Sequence, residues 1–293
     1  MVLATYPDHL REQVDDYLQS VSFSDAVDLA GLQEAMRYSL LAPGKRIRPV
    51  LCLAAAAALG NSPESALPVA AAIELIHTYS LIHDDLPAMD DDEMRRGRPT
   101  CHVAFGEHVA ILAGDALYAE AFRHIVEHQQ AAPANVLAVI GCLAAATGVD
   151  GMVGGQYLDV ATAALAGPDG LRRLHELKTG RLIAAAVECP LLLSGASQPE
   201  TMLYRQFAAE LGVLFQIVDD ILDVTGTDAA LGKPTGSDER HGKRTYVSEH
   251  GLERARELAA RSHAAARDAL TLAAPVGGGE LEQITDFIYT RTS

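Results

Sequence analysis

Residues 65–90 read SALPVAAAIELIHTYSLIHDDLPAMD, a long apolar helical stretch that runs into carboxylates at Asp84, Asp85 and Asp90. The arrangement returns at 200–223, ETMLYRQFAAELGVLFQIVDDILD, where Asp219, Asp220 and Asp223 close a second apolar stretch. At about 100° per residue the second trio falls within about a 100° arc, so it shares one helix face. The first cluster cannot be one unbroken helix. Pro87 does not fit a helix interior and biases Leu86 out of the helical region, so the helix should end near Asp85 or Leu86, with Asp90 returned by a short loop. Two such helices side by side, with these ends adjacent, would face their carboxylates across a cavity with apolar depths.

Carboxylates so placed repel one another unless a positive charge neutralises them. Oxygen-only donors suit a hard divalent ion such as Mg2+, which keeps several waters and is completed by substrate phosphates. The implied ligand is a phosphorylated or diphosphorylated molecule with an apolar tail.

Outward from these two helices, apolar stripes of helical period recur at 8–20, 29–40, 47–59, 108–128, 134–148, 171–194, 252–273 and 280–290. Breakers such as Pro43-Gly44, Gly167-Pro168 and Gly277 to Gly279 fall between them, and no convincing alternating run is present. The expectation is an all-α fold: a single domain over 1–293, a helical bundle of about ten or more helices around a central apolar cavity. At 293 residues and 49% hydrophobic, the chain can bury one large core. Gln129 to Val149 is uncharged and long enough to span a bilayer. Its Pro133, Asn135 and Gly148, and its high alanine content, favour a buried core helix over a membrane span.

The balance of 23 basic and 39 acidic residues, a net charge of −16, argues against nucleic acid and against electrostatic attachment to an anionic membrane. Cys52, Cys101, Cys142 and Cys189 form no C-x-x-C pair and read as reduced thiols. With no basic start followed by an apolar core at the amino terminus, a cytoplasmic location is expected.

At the acidic motifs the chain resembles the trans-isoprenyl diphosphate synthases, and specifically bacterial farnesyl diphosphate synthases. The resemblance rests on His83 to Asp92 with Arg95-Arg96-Gly97, on Phe215 to Asp223, and on Gly44-Lys-Arg-Ile-Arg-Pro49, Gly154 to Asp159, Lys178-Thr-Gly180, Leu231-Gly-Lys233 and Lys243-Arg-Thr-Tyr246. It implies an all-α homodimer that joins an allylic diphosphate to isopentenyl diphosphate with three Mg2+ ions per active site. The resemblance makes Asp84, Asp85, Asp90, Asp219, Asp220 and Asp223 the metal ligands, direct or through water. Arg95, Lys178, Lys233 and Lys243 then match contacts to the allylic diphosphate, and Lys45, Arg48, His77 and Arg96 match the grip on isopentenyl diphosphate. Thr179 and Gln216 match residues that supply oxygen dipoles to the allylic cation. Gln156 and Asp159 either support the metal site or pack helices; His83 reads as local hydrogen bonding and Asp115 as structural.

In the resemblance, an aromatic residue five positions before the first Asp goes with a C15 product, and Tyr79, followed by Ser80, stands there. Tyr79 is about 140° from Asp84 on an ideal helix, so geometry alone does not make it the cavity floor. Farnesyl diphosphate is the first expectation, geranylgeranyl or geranyl diphosphate the second. Terpene cyclases lack the isopentenyl diphosphate grip that Lys45 and Arg48 match, and non-catalytic subunits of prenyl synthases typically lose one Asp motif, whereas both are intact. Val247 stands where the family commonly has proline, which raises the expectation of a looser loop at 232–247.

Overall fold

The computed structural model describes residues 5–161, 167–226 and 242–291. In chain order its helices are α1 Asp8–Ser20, α2 Ala30–Leu40, α3 Ile47–Ala58, α4 Leu67–Asp84, α5 Cys101–Phe105, α6 Glu107–His128, α7 Pro133–Thr147, α8 Met152–Val160, α9 Gly167–His175, α10 Arg181–Ser194, α11 Gln198–Thr225, α12 Tyr246–His250, α13 Leu252–Ala273 and α14 Glu280–Thr290. The fold is all-α, as the periodicity requires.

Two helices form the centre. In α3 the run Val50 to Ala55 is fully buried, as a helix apolar on every face must be. The α4 helix starts with a proline in its first turn, where a missing N–H costs nothing, and buries Val69 through Ile76. It ends at Asp84, where Asp85 caps it and Pro87 prevents continuation. Along α4 lies α6, close enough that a Cβ on Gly114 would meet His83 Nε2 at 2.2 Å. The other long helix, α11, opens with Ser197 accepting the Glu200 N–H and packs along α13.

The stripe at 171–194 is helical throughout but not of one pitch. Between α9 and α10, Glu176–Gly180 forms a π-helical turn whose extra residue re-aims Lys178 and Thr179. Glycines let neighbours close on this turn: a Cβ on Gly155 of α8 would meet Lys178 N at 2.2 Å, and one on Gly212 of α11 would meet Gly180 Cα at 3.1 Å. Too short for periodicity to mark, α5, α8 and α12 also escape the sequence reading.

A minimal hairpin pairs Met94 with Pro99 and Arg95 with Arg98. Its central residues Arg96 and Gly97 both have positive φ, 51° and 75°, the backbone of a type I′ turn. The expectation for 129–149 is also corrected. Within α7 only Val139, Leu143, Ala146 and Thr147 are buried, and Leu137 is 69% exposed. By length and composition alone, the stretches Pro63–Asp84 and Pro133–Val160 could each cross a membrane; the first is mostly buried and the second mostly is not.

Candidate active site

The ends of α4 and α11 open onto one cavity of about 610 Å3, lined on one side by Tyr79, Ser80 and Asp84 and on the other by Asp219, Asp220 and Asp223. The π turn adds Lys178 and Thr179, and α8 adds Gln156 and Asp159. A second cavity of about 1110 Å3 adjoins it, lined by Lys45, Arg48, His77, Arg96, Phe287 and Arg291 among others. Arg48, His77, Arg95, Arg96, Phe215 and Asp219 line both, so the two spaces meet there.

The six motif carboxylates do not all face the first cavity. Burial pushes the Asp84 carboxyl upward, and among the described residues no side chain hydrogen-bonds it. Asp85 turns away and is gripped by Arg95, whose Nε lies 2.7 Å from Oδ1 and whose Nη2 lies 2.6 Å from the same oxygen. Burial pushes Asp85 up to about 6, against the lowering effect of Arg95. Asp90 holds Lys243 Nζ at 2.7 Å, and Lys178 Nζ lies 2.6 Å from Asp159. Basic side chains therefore neutralise acids along this wall.

On the α11 side, Thr179 Oγ1 donates to Gln216 Oε1 at 3.0 Å, and Gln216 Nε2 donates to Asp220 Oδ1 at 2.7 Å. The other Asp220 oxygen accepts the Tyr246 N–H at 2.7 Å, which ties the start of α12 to α11. Lys233 lies outside the described residues, as does most of the loop at 232–247. At its described end Val247 lies in the first turn of α12, whose start carries a reciprocal Thr245 and Ser248 capping box.

The second cavity concentrates positive charge around a neutral histidine. Arg48 Nη1 lies 3.3 Å from His77 Nε2; a guanidinium can only donate, so Nε2 accepts and the ring proton belongs on Nδ1. Burial, with Arg48 and Arg96 nearby, holds His77 well below its ordinary range, and burial lowers Arg48 to about 10. The Arg96 guanidinium crosses directly over Gly44, where a Cβ would meet Nη1 at 2.8 Å. Lys45 Nζ stands 5.3 Å from the Phe287 ring centroid.

Sequence reading missed three groups of residues. Arg291, at the end of the described chain, donates to Asp219 Oδ1 at 3.1 Å and lies 4.4 Å from the Phe215 ring centroid. Behind Tyr79, which is 8% exposed, stand Tyr118 at 4.9 Å and then Phe122 at 5.2 Å from Tyr118, with the Tyr118 hydroxyl 3.0 Å from Thr147 Oγ1. Arg46, between the two cationic residues of its motif, is buried. Only position, not pattern, distinguishes these residues in the sequence. His83 lies 3.0 Å from Ile111 O on α6, a contact 28 positions along the chain rather than a local one, and Asp115 lies 3.9 Å from His83.

A hard divalent ion fits the first cavity by donor chemistry, oxygen against oxygen across the α4 and α11 ends. Both polar atoms of the Gln156 side chain are buried there without a hydrogen-bond partner among the described residues. No three acid, histidine or cysteine side chains among the described residues form a ready cage.

Comparison with known proteins agrees with this geometry. The polyprenyl synthetase family model matches residues 30–271. The large subunit 1 of the chloroplastic heterodimeric geranylgeranyl pyrophosphate synthase of Arabidopsis thaliana is 47% identical over 246 residues, 82% of this chain and 66% of that protein. The chloroplastic geranylfarnesyl diphosphate synthase of Leucosceptrum canum is 44% identical over 265 residues, covering 89% of this chain and 73% of that one. A geranyltransferase of Helicobacter pylori, solved in complex with magnesium and isoprenyl diphosphate, superposes with a TM-score of 0.85 at 33% identity over 94% of each chain. These matches correct the expectation of a cytoplasmic protein, since both plant relatives are chloroplastic. Reduced thiols and acidic charge suit any reducing compartment and do not discriminate between them.

Proposed function

Because the chain belongs to the polyprenyl synthetase family, we propose that it condenses allylic diphosphates, dimethylallyl and then geranyl, with isopentenyl diphosphate to give (2E,6E)-farnesyl diphosphate and pyrophosphate. The observation that carries this reading is the pair of adjoining cavities, one where the α4 and α11 carboxylates face basic side chains and the other richer in cations, meeting at Phe215 and His77. Magnesium held by Asp84, Asp90, Asp219, Asp220 and Asp223, three ions in the full complex, would neutralise the allylic diphosphate and stabilise its departure. Asp85 supports that wall through Arg95.

The chain's own residues do the rest. Lys178 and Lys243 move from Asp159 and Asp90 onto the allylic diphosphate, joined by Arg95 and Lys233, and stabilise charge as the C–O bond breaks. Thr179 commits its proton to Gln216, so its lone pairs are free to face the allylic carbocation. Lys45, Arg48, Arg96 and neutral His77 hold the second diphosphate so that the isopentenyl double bond lies against the cationic carbon. The double bond's electrons form the new C–C bond, and the departing proton goes to the released pyrophosphate.

Tyr79, backed by Tyr118 and Phe122, ends the apolar depth and supports a C15 product. A second reading, a geranylgeranyl diphosphate product, draws on the name of the Arabidopsis relative. Exposed Ile111, Leu112 and Val126 on α6 and Leu137 on α7 support assembly as a homodimer. The test is incubation with dimethylallyl diphosphate and labelled isopentenyl diphosphate, with Mg2+ and with EDTA, resolving the dephosphorylated alcohols. A metal-dependent C15 alcohol is expected; a C20 alcohol transfers the reading to the second product, and no incorporation removes it.

A further inference from the structure

The motif Gly44-Lys-Arg-Ile-Arg-Pro49 carries three cations, and the structure treats the middle one differently. All three border the second cavity, but Lys45 is exposed and Arg48 half-buried, whereas the Arg46 side chain is only 3% exposed. Its Nε donates to Asp15 Oδ1 at 2.8 Å and Nη1 to Glu74 Oε1 at 2.7 Å. Its Nη2 donates to the carbonyls of Leu40 at 2.9 Å and Ala42 at 3.0 Å. One guanidinium thus ties α1, the end of α2 and α4 to the start of α3. Two carboxylates already neutralise it, so it has no charge to offer a diphosphate.

The backbone of Arg46 has φ 52° and ψ 37°, a left-handed conformation that a side chain with a Cβ adopts only when its surroundings enforce it. That conformation immediately precedes α3 and sets the direction in which Lys45 leaves the turn and Arg48 leaves the first helical turn. Lys45 is held from its other side, where Tyr6 donates to its carbonyl at 2.7 Å. Glu74 is buried on α4 one turn before His77, and its charge acts on Arg48 and Arg96 as well as on Arg46. Without Arg46, that buried carboxylate would draw the two cavity arginines inward.

We infer that Arg46 is a positioning residue for the isopentenyl diphosphate site: its bonds to Asp15 and to the buried Glu74 hold the left-handed turn that aims Lys45 and Arg48 into the second cavity. This rests on the proposed condensation. It extends that reading to a residue that touches neither substrate.

The test is steady-state kinetics and melting temperature of Arg46→Lys and of the double variant Arg46→Met/Glu74→Leu, with each substrate varied in turn. The double variant removes both buried charges while keeping apolar bulk, a replacement that buried ion pairs commonly tolerate. In both variants the KM for isopentenyl diphosphate should rise about tenfold or more while the allylic KM changes little, as a misaimed binding group predicts. A single ammonium cannot reproduce the four-bond fork, so Arg46→Lys should recover only part of the loss, and it serves alone if the double variant does not fold. An unchanged isopentenyl diphosphate KM, or a loss shared equally by both substrates alongside a lower melting temperature, overturns the inference. Wild-type protein that incorporates no isopentenyl diphosphate fails the proposed condensation itself, and the inference falls with it.

Discussion

The two cavities face the same electrostatic problem, several like charges brought together, and solve it in opposite ways. The first gathers acids and holds them with basic side chains: Lys243 on Asp90, Lys178 on Asp159 and Arg95 on Asp85. Exchange of both lysines onto a diphosphate would leave room for an incoming cation. The second gathers cations, and its relief is internal and fixed: a neutral His77, and a buried Glu74 and half-buried Asp15 already committed to Arg46. Exchangeable pairs suit a site where charge changes during reaction, and fixed pairs suit one that only holds an anion.

The sharpest way to break this contrast is on the acidic side. Asp84→Ala or Asp219→Ala should lower kcat by about a thousandfold, because the loss falls on transition-state charge. On the cationic side, Lys45→Ala should raise the isopentenyl diphosphate KM about tenfold with kcat nearly retained, the size expected for one charged hydrogen bond. Similar, small losses in all three variants would erase the distinction.

A weaker effect concerns depth rather than charge. Tyr79→Ala should lengthen the product, read as a shift from C15 toward C20 alcohols, because it opens the cavity toward Tyr118. Tyr118→Phe removes only the contact with Thr147 and should leave product length near that of the wild type. An unchanged C15 product from Tyr79→Ala would place the floor elsewhere.

The smallest expected effect is in stability, and it has opposite signs in the two regions. Asp85, raised to about 6 from 3.8, binds a proton more readily folded than unfolded, so its contribution to stability falls as pH rises through that window. His77 is held neutral well below 6.5, so its contribution is present above 6.5 and is lost as pH falls. Melting temperatures followed between about pH 4.5 and 7.5 should show Asp85→Asn removing the downward component and His77→Gln the upward one. Identical pH profiles in both variants would mean that neither group is coupled to folding.

Much of this was legible in the chain itself, because helix formation and helix termination are local events. The apolar stripes marked the long helices, Pro87 ended α4 beside Asp84, and the spacing of Asp219, Asp220 and Asp223 placed them on one face. The motif resemblance also named Thr179 and Gln216, which the structure brings into contact across 37 positions. Where one segment meets another far along the chain, local pattern carries no signal. Asp85 reads like its neighbour Asp84, yet folding turns it to Arg95; Arg46 reads like Arg48, yet it is buried against α1 and α4. Arg291 reaches Asp219 from 72 positions away, and Tyr118 stands behind Tyr79 only because α6 lies along α4. Period and punctuation determined which segments are helices and where their carboxylates end. Which of those charges is open to a ligand was decided only by packing, since burial and pairing depend on neighbours that sequence distance does not record.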